Sequence, residues 1–385
     1  MPRPAAALTG RLAGTGALLV FAGLVMASGL DRLSVASPAL GRMIPNPLQA
    51  QSARSSAQLA IVQGNPAAAI AYARRGVTTD PINPASTSVL GEAYLLGGHA
   101  AEADQAFRVA ARFGWREAAT QLYWYQSAFR SGDMPRAVDR VDALLRTRKG
   151  MAGAEQVLAP LESTAAGRTA LIHRMAERPL WLKDYMNIGT GEPALLDRRS
   201  EVLVELGQAG TMLGCDAVSP FVRTAVDVGA RRQAERVWVA HCPGATATNG
   251  LSDGSFEHVD ASNASPFDWR QQPSGDVSIR SVDKGGGNHA VQLQNNSPLT
   301  QLVLIQAVAL EPGSYRVVAK VAPGRVSASL GCKRNPVQPS LSNGDLGAGG
   351  QVLTVPVCAN LLLGLWVRPS PQPVEIDDLN VERVR

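Results

Sequence analysis

The feature that most constrains this chain is a regular spacing of small residues between positions 60 and 140. A glycine and, five positions later, an alanine recur together: Gly64 with Ala69, Gly98 with Ala103, and Gly132 with Ala137. Successive copies are about 34 residues apart, a period typical of repeats in which each copy is a pair of helices. Glycine suits the turn between two helices, and alanine lets their backbones approach closely. The spacing predicts three helix pairs over residues 50–151.

The second copy carries the most complete pattern, with small, apolar or aromatic residues at Leu90, Gly91, Tyr94, Gly98, Ala103, Phe107 and Ala110. This pattern resembles the tetratricopeptide repeat, although Ala57 and Tyr125 replace Gly91 in the other two copies. In that family the first helix of each pair lines a groove for a peptide or a partner helix. The resemblance therefore implies a protein partner and a groove formed by Arg54, Gln58, Glu92, Leu96, Tyr123, Gln126 and Arg130. Alternatively, these are ordinary surface residues.

An uncharged apolar run at residues 12–30 is bounded by Arg11 and Asp31. A helix of this length is about long enough to cross the hydrocarbon core of a membrane. Residues 1–33 are therefore interpreted as a single-pass anchor in a bacterial inner membrane. The positive flank then leaves the amino-terminal end in the cytoplasm and the bulk of the chain in the periplasm. The alternative is a signal peptide that is cleaved near Ala27 or Gly29, which would export the chain.

Two further segments separate the repeats from their surroundings. Residues 34–49 contain three prolines and no helical periodicity, which predicts a linker between membrane and repeats. Residues 152–243 predict more amphipathic helices, at about 154–161, 168–176, 195–206, 220–228 and 230–239. These helices lose the period of the earlier repeats. They either continue the repeats or close them with a cap.

From residue 248 to residue 385 the pattern becomes extended. Short runs rich in Val, Leu and Tyr alternate with Gly, Asn, Ser and Pro, which predicts an antiparallel β-sandwich. The predicted strands lie at 289–294, 301–310, 315–321, 351–355, 361–368 and 374–384. The fold class is therefore multidomain α plus β, with a membrane helix, a helical solenoid and a carboxy-terminal sandwich.

Short motifs in this region lie at 249–250, 254–257, 266–269, 306–315 and 375–379. They resemble carbohydrate-binding modules with a galactose-binding-like jelly-roll fold. The resemblance implies aromatic glycan contacts, for which Trp269 and Tyr315 are the candidates, whereas Trp366 is expected in the core. It also implies a structural Ca²⁺ held by Glu257 and Asp377, which alternatively are surface charges. No cofactor is otherwise required.

The four cysteines fall into two pairs, Cys215 with Cys242 and Cys332 with Cys358. An even number of cysteines in an exported chain favours disulfides. For Cys215 the alternative is a buried helical thiol.

Neither catalysis nor nucleic-acid binding is expected. The formal net charge is +5 and the charged residues are interleaved, which is typical of solvated surfaces rather than of a nucleic-acid site. No nucleophile elbow, zinc-protease motif or phosphate loop occurs. An enzyme would require Asp253, Glu257 and Asp268 to converge in a cleft at a separation suited to glycoside hydrolysis.

The combined architecture resembles accessory proteins of bacterial polysaccharide synthesis, assembly or export. We interpret the chain as a non-enzymatic scaffold whose repeats recruit a protein partner. The alternative is a glycan-binding protein that acts through the sandwich and contacts a polysaccharide.

Overall fold

The computed structural model describes residues 5–147, 153–187, 192–243, 250–259, 265–272, 274–332, 345–347, 349–357 and 360–384. The chain divides into two compact units, Met1–Leu158 and Ala159–Arg385. This boundary lies near the start of residues 152–243, the segment predicted to hold further helices. Most of that region therefore belongs with the sheets and not with the repeats.

The described part of the first unit is helical. A long helix α1 (Ala5–Leu33) leads into two 3₁₀ turns, Pro38–Met43 and Asn46–Leu48. The fully described stretch that follows holds three antiparallel helix pairs: α2 (Gln51–Val62) with α3 (Pro66–Thr79), α4 (Pro84–Leu96) with α5 (Ala100–Ala111), and α6 (Ala118–Ser131) with α7 (Met134–Leu145). The expectation of three helix pairs is confirmed.

The periodic residues occupy the places that their chemistry predicts. Gly64, Gly98 and Gly132 lie in the turn within each pair, with φ values of 68°, 77° and 77°. The alanine five positions after each glycine is fully buried. At Gly91, an added Cβ would lie 2.7 Å from the Phe107 ring, so only glycine permits this approach of α4 to α5.

The second unit begins with helices. α8 (Ala154–Glu162) contains the boundary, and α9 (Ala165–Ala176), α10 (Leu182–Tyr185), α11 (Pro193–Gln208), α12 (Cys215–Asp227) and α13 (Arg231–His241) follow. A buried polar cluster connects α8, α10 and α11, because the Tyr185 hydroxyl donates to Glu162 at 2.8 Å and Arg199 Nε donates to the same carboxylate at 3.3 Å. The predicted helices are present at all five positions.

Within the described residues, nine strands form two antiparallel sheets. They are β1 (Arg270–Gln271), β2 (Val277–Gly285), β3 (Asn288–Asn295), β4 (Gln301–Val308), β5 (Gly313–Val321), β6 (Val326–Cys332), β7 (Gln351–Val355), β8 (Leu361–Val367) and β9 (Ser370–Arg383). One sheet has the order β1-β4-β8-β6 and the other β2-β3-β9-β5-β7. Both contribute to a single apolar core.

The sequence prediction missed three of these strands, β1, β2 and β6. β1 is very short, and β2 is polar along most of its length, with several exposed side chains. β6 consists largely of Ser, Ala, Gly and Cys, although most of its residues are buried. Short, small or polar residues give little of the Val, Ile and aromatic signal on which strand prediction depends.

Candidate binding surfaces and the anchor junction

The carboxylate of Asp31 joins the apolar helix to the first repeat. Its Oδ2 accepts the backbone N–H of Gln51 at 2.8 Å, and its Oδ1 accepts the N–H and hydroxyl of Ser52 at 2.9 and 2.8 Å. Asp31 is only 6% exposed. It therefore supplies acceptors for the N–H groups that begin α2, from a different helix.

The predicted linker is a packed connector instead. The Gln49 side-chain amide donates to the carbonyls of Ile44 at 2.8 Å and Gly41 at 3.1 Å, and it accepts from Arg75 on α3 at 3.1 Å. Ile44 is buried. These contacts satisfy backbone groups that a free linker would leave to water, so α1 continues into the repeats without a loose segment.

The first helices of the three pairs present a periodic polar row. Gln58, Glu92 and Gln126 are each one repeat period apart and lie on α2, α4 and α6. α2 packs against α4, and α4 packs against α6. The row therefore runs across the three helices, with both amide side chains exposed.

An apolar strip accompanies this row. Val62 and Leu96 are also one repeat period apart and are 84% and 39% exposed. Leu95 is exposed beside Leu96, and Arg130 takes the equivalent position on α6. We call the surface formed by the polar row, Val62, Leu95, Leu96 and Arg130 the row surface.

Glu92 is the half-buried member of the row. Burial raises the pKa of its carboxyl, and the nearby negative charge of Glu117 raises that pKa further. The Glu117 carboxylate is held at the start of α6, where it accepts the Ser88 hydroxyl at 3.0 Å and the Ala119 N–H at 3.3 Å. The Glu92 carboxyl, at the centre of the row, therefore loses its proton less readily than a free glutamate does.

Three of the predicted groove residues make local contacts. The Tyr123 ring stacks on Phe107 at 4.1 Å between centroids, and its hydroxyl donates to Asp104 at 3.1 Å, so it connects α6 to α5. Arg54 donates to Gln51 on its own helix. Arg130 is exposed, and its Nε donates to the Gln126 carbonyl at 3.3 Å.

In the second unit, the two aromatic residues expected to contact glycan are in the core. Trp269 is 4% exposed, stacks on Phe256, and donates its indole N–H to the Asp253 carbonyl at 2.9 Å. Tyr315 is 7% exposed and donates to the Glu311 carbonyl at 3.0 Å. Neither ring presents a face to a sugar, so the expectation of aromatic glycan contacts at these positions is corrected.

Trp366 shows the opposite outcome, since it was expected in the core and is partly exposed. Alternate residues of β8 point into the core, which places Leu362, Gly364 and Trp366 on the outer face of the four-stranded sheet. The indole N–H donates to the Ser329 hydroxyl at 2.8 Å. Because both faces of β8 are apolar, its sequence shows no alternation that could have distinguished them.

The acidic residues proposed for Ca²⁺ have other partners. Glu257 accepts the backbone N–H of His289 at 3.0 Å and lies 2.9 Å from its Nδ1, which raises the pKa of that imidazole. Asp377 accepts the N–H of Asp378 at 2.7 Å. Across the described parts of the chain, no group of three or more His, Cys, Asp or Glu side chains is placed to hold a metal ion.

Asp253 and Asp268, two of the acidic residues that an enzyme would require, hold loops in place. Asp253 accepts the N–H groups of Glu257 and His258 at 2.8 and 3.1 Å. Asp268 accepts the Ser252 hydroxyl at 2.9 Å and a further backbone N–H at 2.7 Å. Burial is the largest cause of the raised pKa of Asp253. These hydrogen bonds give each carboxylate a structural role.

A disulfide connects the start of α12 to the end of α13, between Cys215 and Cys242. The pairing predicted for these two cysteines is therefore present. The prediction for Cys332 with Cys358 involves Cys358, which lies outside the described residues. Cys332 itself ends β6.

The disulfide-closed pair α12–α13 contacts strand β4 of the four-stranded sheet through Arg231. Arg231 is buried there, donates to the Ala307 carbonyl and places its guanidinium 4.8 Å from the centre of the Phe267 ring. Burial lowers its pKa, and Glu235 at 3.1 Å opposes that effect. No sequence signal identified Arg231, because Phe267 and Ala307 are distant from it along the chain.

In comparisons with known proteins, no family model and no curated sequence matches this chain.

Proposed function

We propose that this protein is a membrane-anchored, non-enzymatic adaptor whose row surface binds an extended segment of a protein partner. The observation that carries the proposal is the row of Gln58, Glu92 and Gln126, repeated at the period of the helix pairs and bordered by exposed Val62 and Leu96. Apolar side chains exposed at a regular period on neighbouring helices contribute little to packing. A ligand that follows the helix array would cover them.

The chemistry of the row suits a peptide backbone. A glutamine amide offers both donors and an acceptor. It can pair with backbone C=O and N–H groups of a peptide, whatever side chains the peptide carries. Val62, Leu95 and Leu96 would take apolar side chains of the ligand, and Arg130 would pair with a carboxylate at one end. The partner is therefore expected to be an extended, partly apolar segment that carries an acidic residue.

Retention of α1 as the anchor is part of the proposal. The segment Gly16–Leu33 of α1 has a mean hydropathy of 1.5, and most of its side chains face no other described part of the protein. Its end is different, because Ala27 and Asp31 are buried, and so is Ser34 directly after it. Cleavage near Ala27 would leave Asp31 close to a new chain end, without the helix that holds it against α2. This supports an anchor over a signal peptide.

The architecture supports a wider setting, which is part of the proposal. We assign the helix pairs to a tetratricopeptide-like solenoid and the sheets to a jelly roll, and we place the protein in bacterial polysaccharide synthesis, assembly or export. The disulfide between Cys215 and Cys242 supports an oxidising compartment, which agrees with a periplasmic location of the second unit.

Partner capture from intact membranes tests the proposal. Full-length protein is crosslinked, purified and identified by mass spectrometry together with its partners, as wild type and as Gln58→Ala/Gln126→Ala/Arg130→Ala. The matched control is Gln105→Ala/Arg112→Ala, which removes exposed polar side chains at α5. We expect the triple variant to lose a specific protein that the control retains. Equal recovery from all three would contradict the proposal.

A second candidate function is glycan binding by the outer face of the four-stranded sheet. One observation favours it, the partly exposed indole of Trp366, held by Ser329 beside Gly364. Aromatic faces of this kind can stack on sugar rings. Binding to a polysaccharide array should then be lost in Trp366→Ala and kept in Trp115→Ala. Arrays without signal for the wild type would exclude this candidate.

A further inference from the structure

A basic segment without acidic residues begins in the last turn of the apolar helix. From residue 32 to residue 79 the sequence contains no aspartate or glutamate and five arginines, Arg32, Arg42, Arg54, Arg74 and Arg75. The nearest acid, Asp31, is buried and accepts three hydrogen bonds from the start of α2. The surface around the end of α1 is therefore positive, with no acidic side chain of this segment to offset it.

Exposed apolar side chains lie in the same short stretch. Leu33, Val35 and Met43 are 59%, 60% and 70% exposed, and Arg32 and Arg42 are exposed next to them in the sequence. The 3₁₀ turn that carries Arg42 and Met43 packs against α1 and α2. These side chains are thus held by folded structure on the outside of the junction.

The length of α1 places this stretch at a membrane surface. Arg11 and Arg32 belong to one helix, and the helical rise between them is about 32 Å. The hydrocarbon core of a bilayer is about 30 Å thick. If Arg11 lies at one headgroup layer, Arg32 lies at the other. Met43 is kept near this end of the helix, because its 3₁₀ turn packs against α1.

We propose that Arg32, Leu33, Val35, Arg42 and Met43 form a binding surface for the anionic headgroup layer of the membrane that α1 crosses. The arginines would pair with lipid phosphates, and the apolar side chains would enter the boundary of the acyl chains. This proposal rests on the anchoring in the proposed function and is independent of the row surface. It fixes the first helix pair against the membrane, so the row surface meets partners close to the bilayer.

The test uses full-length protein in nanodiscs of phosphatidylcholine with or without phosphatidylglycerol. An environment-sensitive fluorophore is attached at Met43→Cys, and its quenching by lipids with a spin label near the headgroup is measured. Phe113→Cys, an exposed position after α5, is the control. The same measurement is made with Arg32→Gln/Arg42→Gln and with the control pair Arg112→Gln/Arg116→Gln.

We expect strong quenching at Met43→Cys in anionic nanodiscs, little at Phe113→Cys, and loss of the Met43→Cys quenching in Arg32→Gln/Arg42→Gln but not in the control pair. Equal quenching at the two sites would overturn the proposal. So would quenching at Met43→Cys that is the same with and without phosphatidylglycerol. Co-elution of the protein with nanodiscs measures its anchoring in the membrane separately. Protein that inserts and still captures its partner, yet shows no quenching, would overturn only this inference.

Discussion

At the scale of single residues, two helical glycines have opposite roles. A Cβ at Gly91 would lie 2.7 Å from the Phe107 ring, whereas at Gly76 the nearest atom would be 3.7 Å away. Gly91→Ala should therefore destabilise the first unit by about 1–3 kcal/mol through overpacking. Gly76→Ala should stabilise it by about 0.5–1 kcal/mol, since alanine favours the helix. Chemical denaturation of both variants measures these changes, and destabilisation by Gly76→Ala would contradict the packing described for α3.

Glu92 predicts a pH dependence. Its pKa is raised in the folded protein by burial and by Glu117, so the folded state binds its proton more tightly than the unfolded state does. Ionised Glu92 therefore costs stability, and that cost appears as the pH rises above its ordinary pKa of 4.5. Glu92→Gln should raise the Tm at pH 7. The gain should disappear below pH 4.5, where Glu92 is protonated in both states.

The control for loss of charge alone is Glu201→Gln, an exposed position on α11. Melting temperatures of both variants and the wild type across acidic and neutral pH decide the matter. A Glu92→Gln gain that stays constant with pH would show that ionisation of Glu92 is not its cause.

At the scale of elements, Asp31 couples α1 to α2. Asp31→Ala leaves the N–H groups of Gln51 and Ser52 without their acceptor, which should destabilise the junction by about 1–2 kcal/mol. Asp31→Asn retains one acceptor oxygen and should lose less. Limited proteolysis of residues 34–49 measures the effect. Equal resistance of Asp31→Ala and wild type would contradict a structural role for this carboxylate.

The disulfide makes α12 and α13 one closed element. Cys215 and Cys242 are 27 residues apart, and removing a disulfide of this loop size typically costs about 2–4 kcal/mol. Cys215→Ser/Cys242→Ser should lower the stability of the second unit by that amount in urea denaturation, and leave the first unit unchanged. Maleimide labelling of both cysteines in protein from intact cells, before any reduction, would place them in a reducing compartment instead.

At the scale of the whole molecule, the sequence predicts local and periodic features well. The regular spacing of Gly64, Gly98 and Gly132 located the three helix pairs, because small residues at close helix contacts are visible in the sequence itself. The five later helices were located by amphipathic pattern. Both signals depend on the identity of residues along the chain and not on which distant segments they meet.

Features that depend on distant neighbours were not predictable. Asp31 acts on residues about 20 positions away, and it looked like the polar end of an apolar run. The apolar run around Trp366 predicts a core residue, because both faces of β8 are apolar. The resemblance to carbohydrate-binding modules makes Trp269 a candidate glycan contact, and the sequence gives no sign of the Phe256 ring on which it stacks.

Arg32 at the end of α1 and the arginines that follow it also bear on orientation. Positive flanks now stand on both sides of the apolar helix, so charge alone gives a weaker preference than the amino-terminal flank suggested. The disulfide is then the stronger support for a periplasmic second unit.

The measurement that tests the central claim most directly is photo-crosslinking from the row surface in intact cells. A photoreactive amino acid replaces Leu96 in full-length protein, and Gln105 on α5 serves as the comparison site. We predict one protein partner crosslinked at position 96 and absent at position 105, with the contact mapping to an extended segment of that partner. No crosslink at position 96, or the same products at both positions, would contradict the adaptor function.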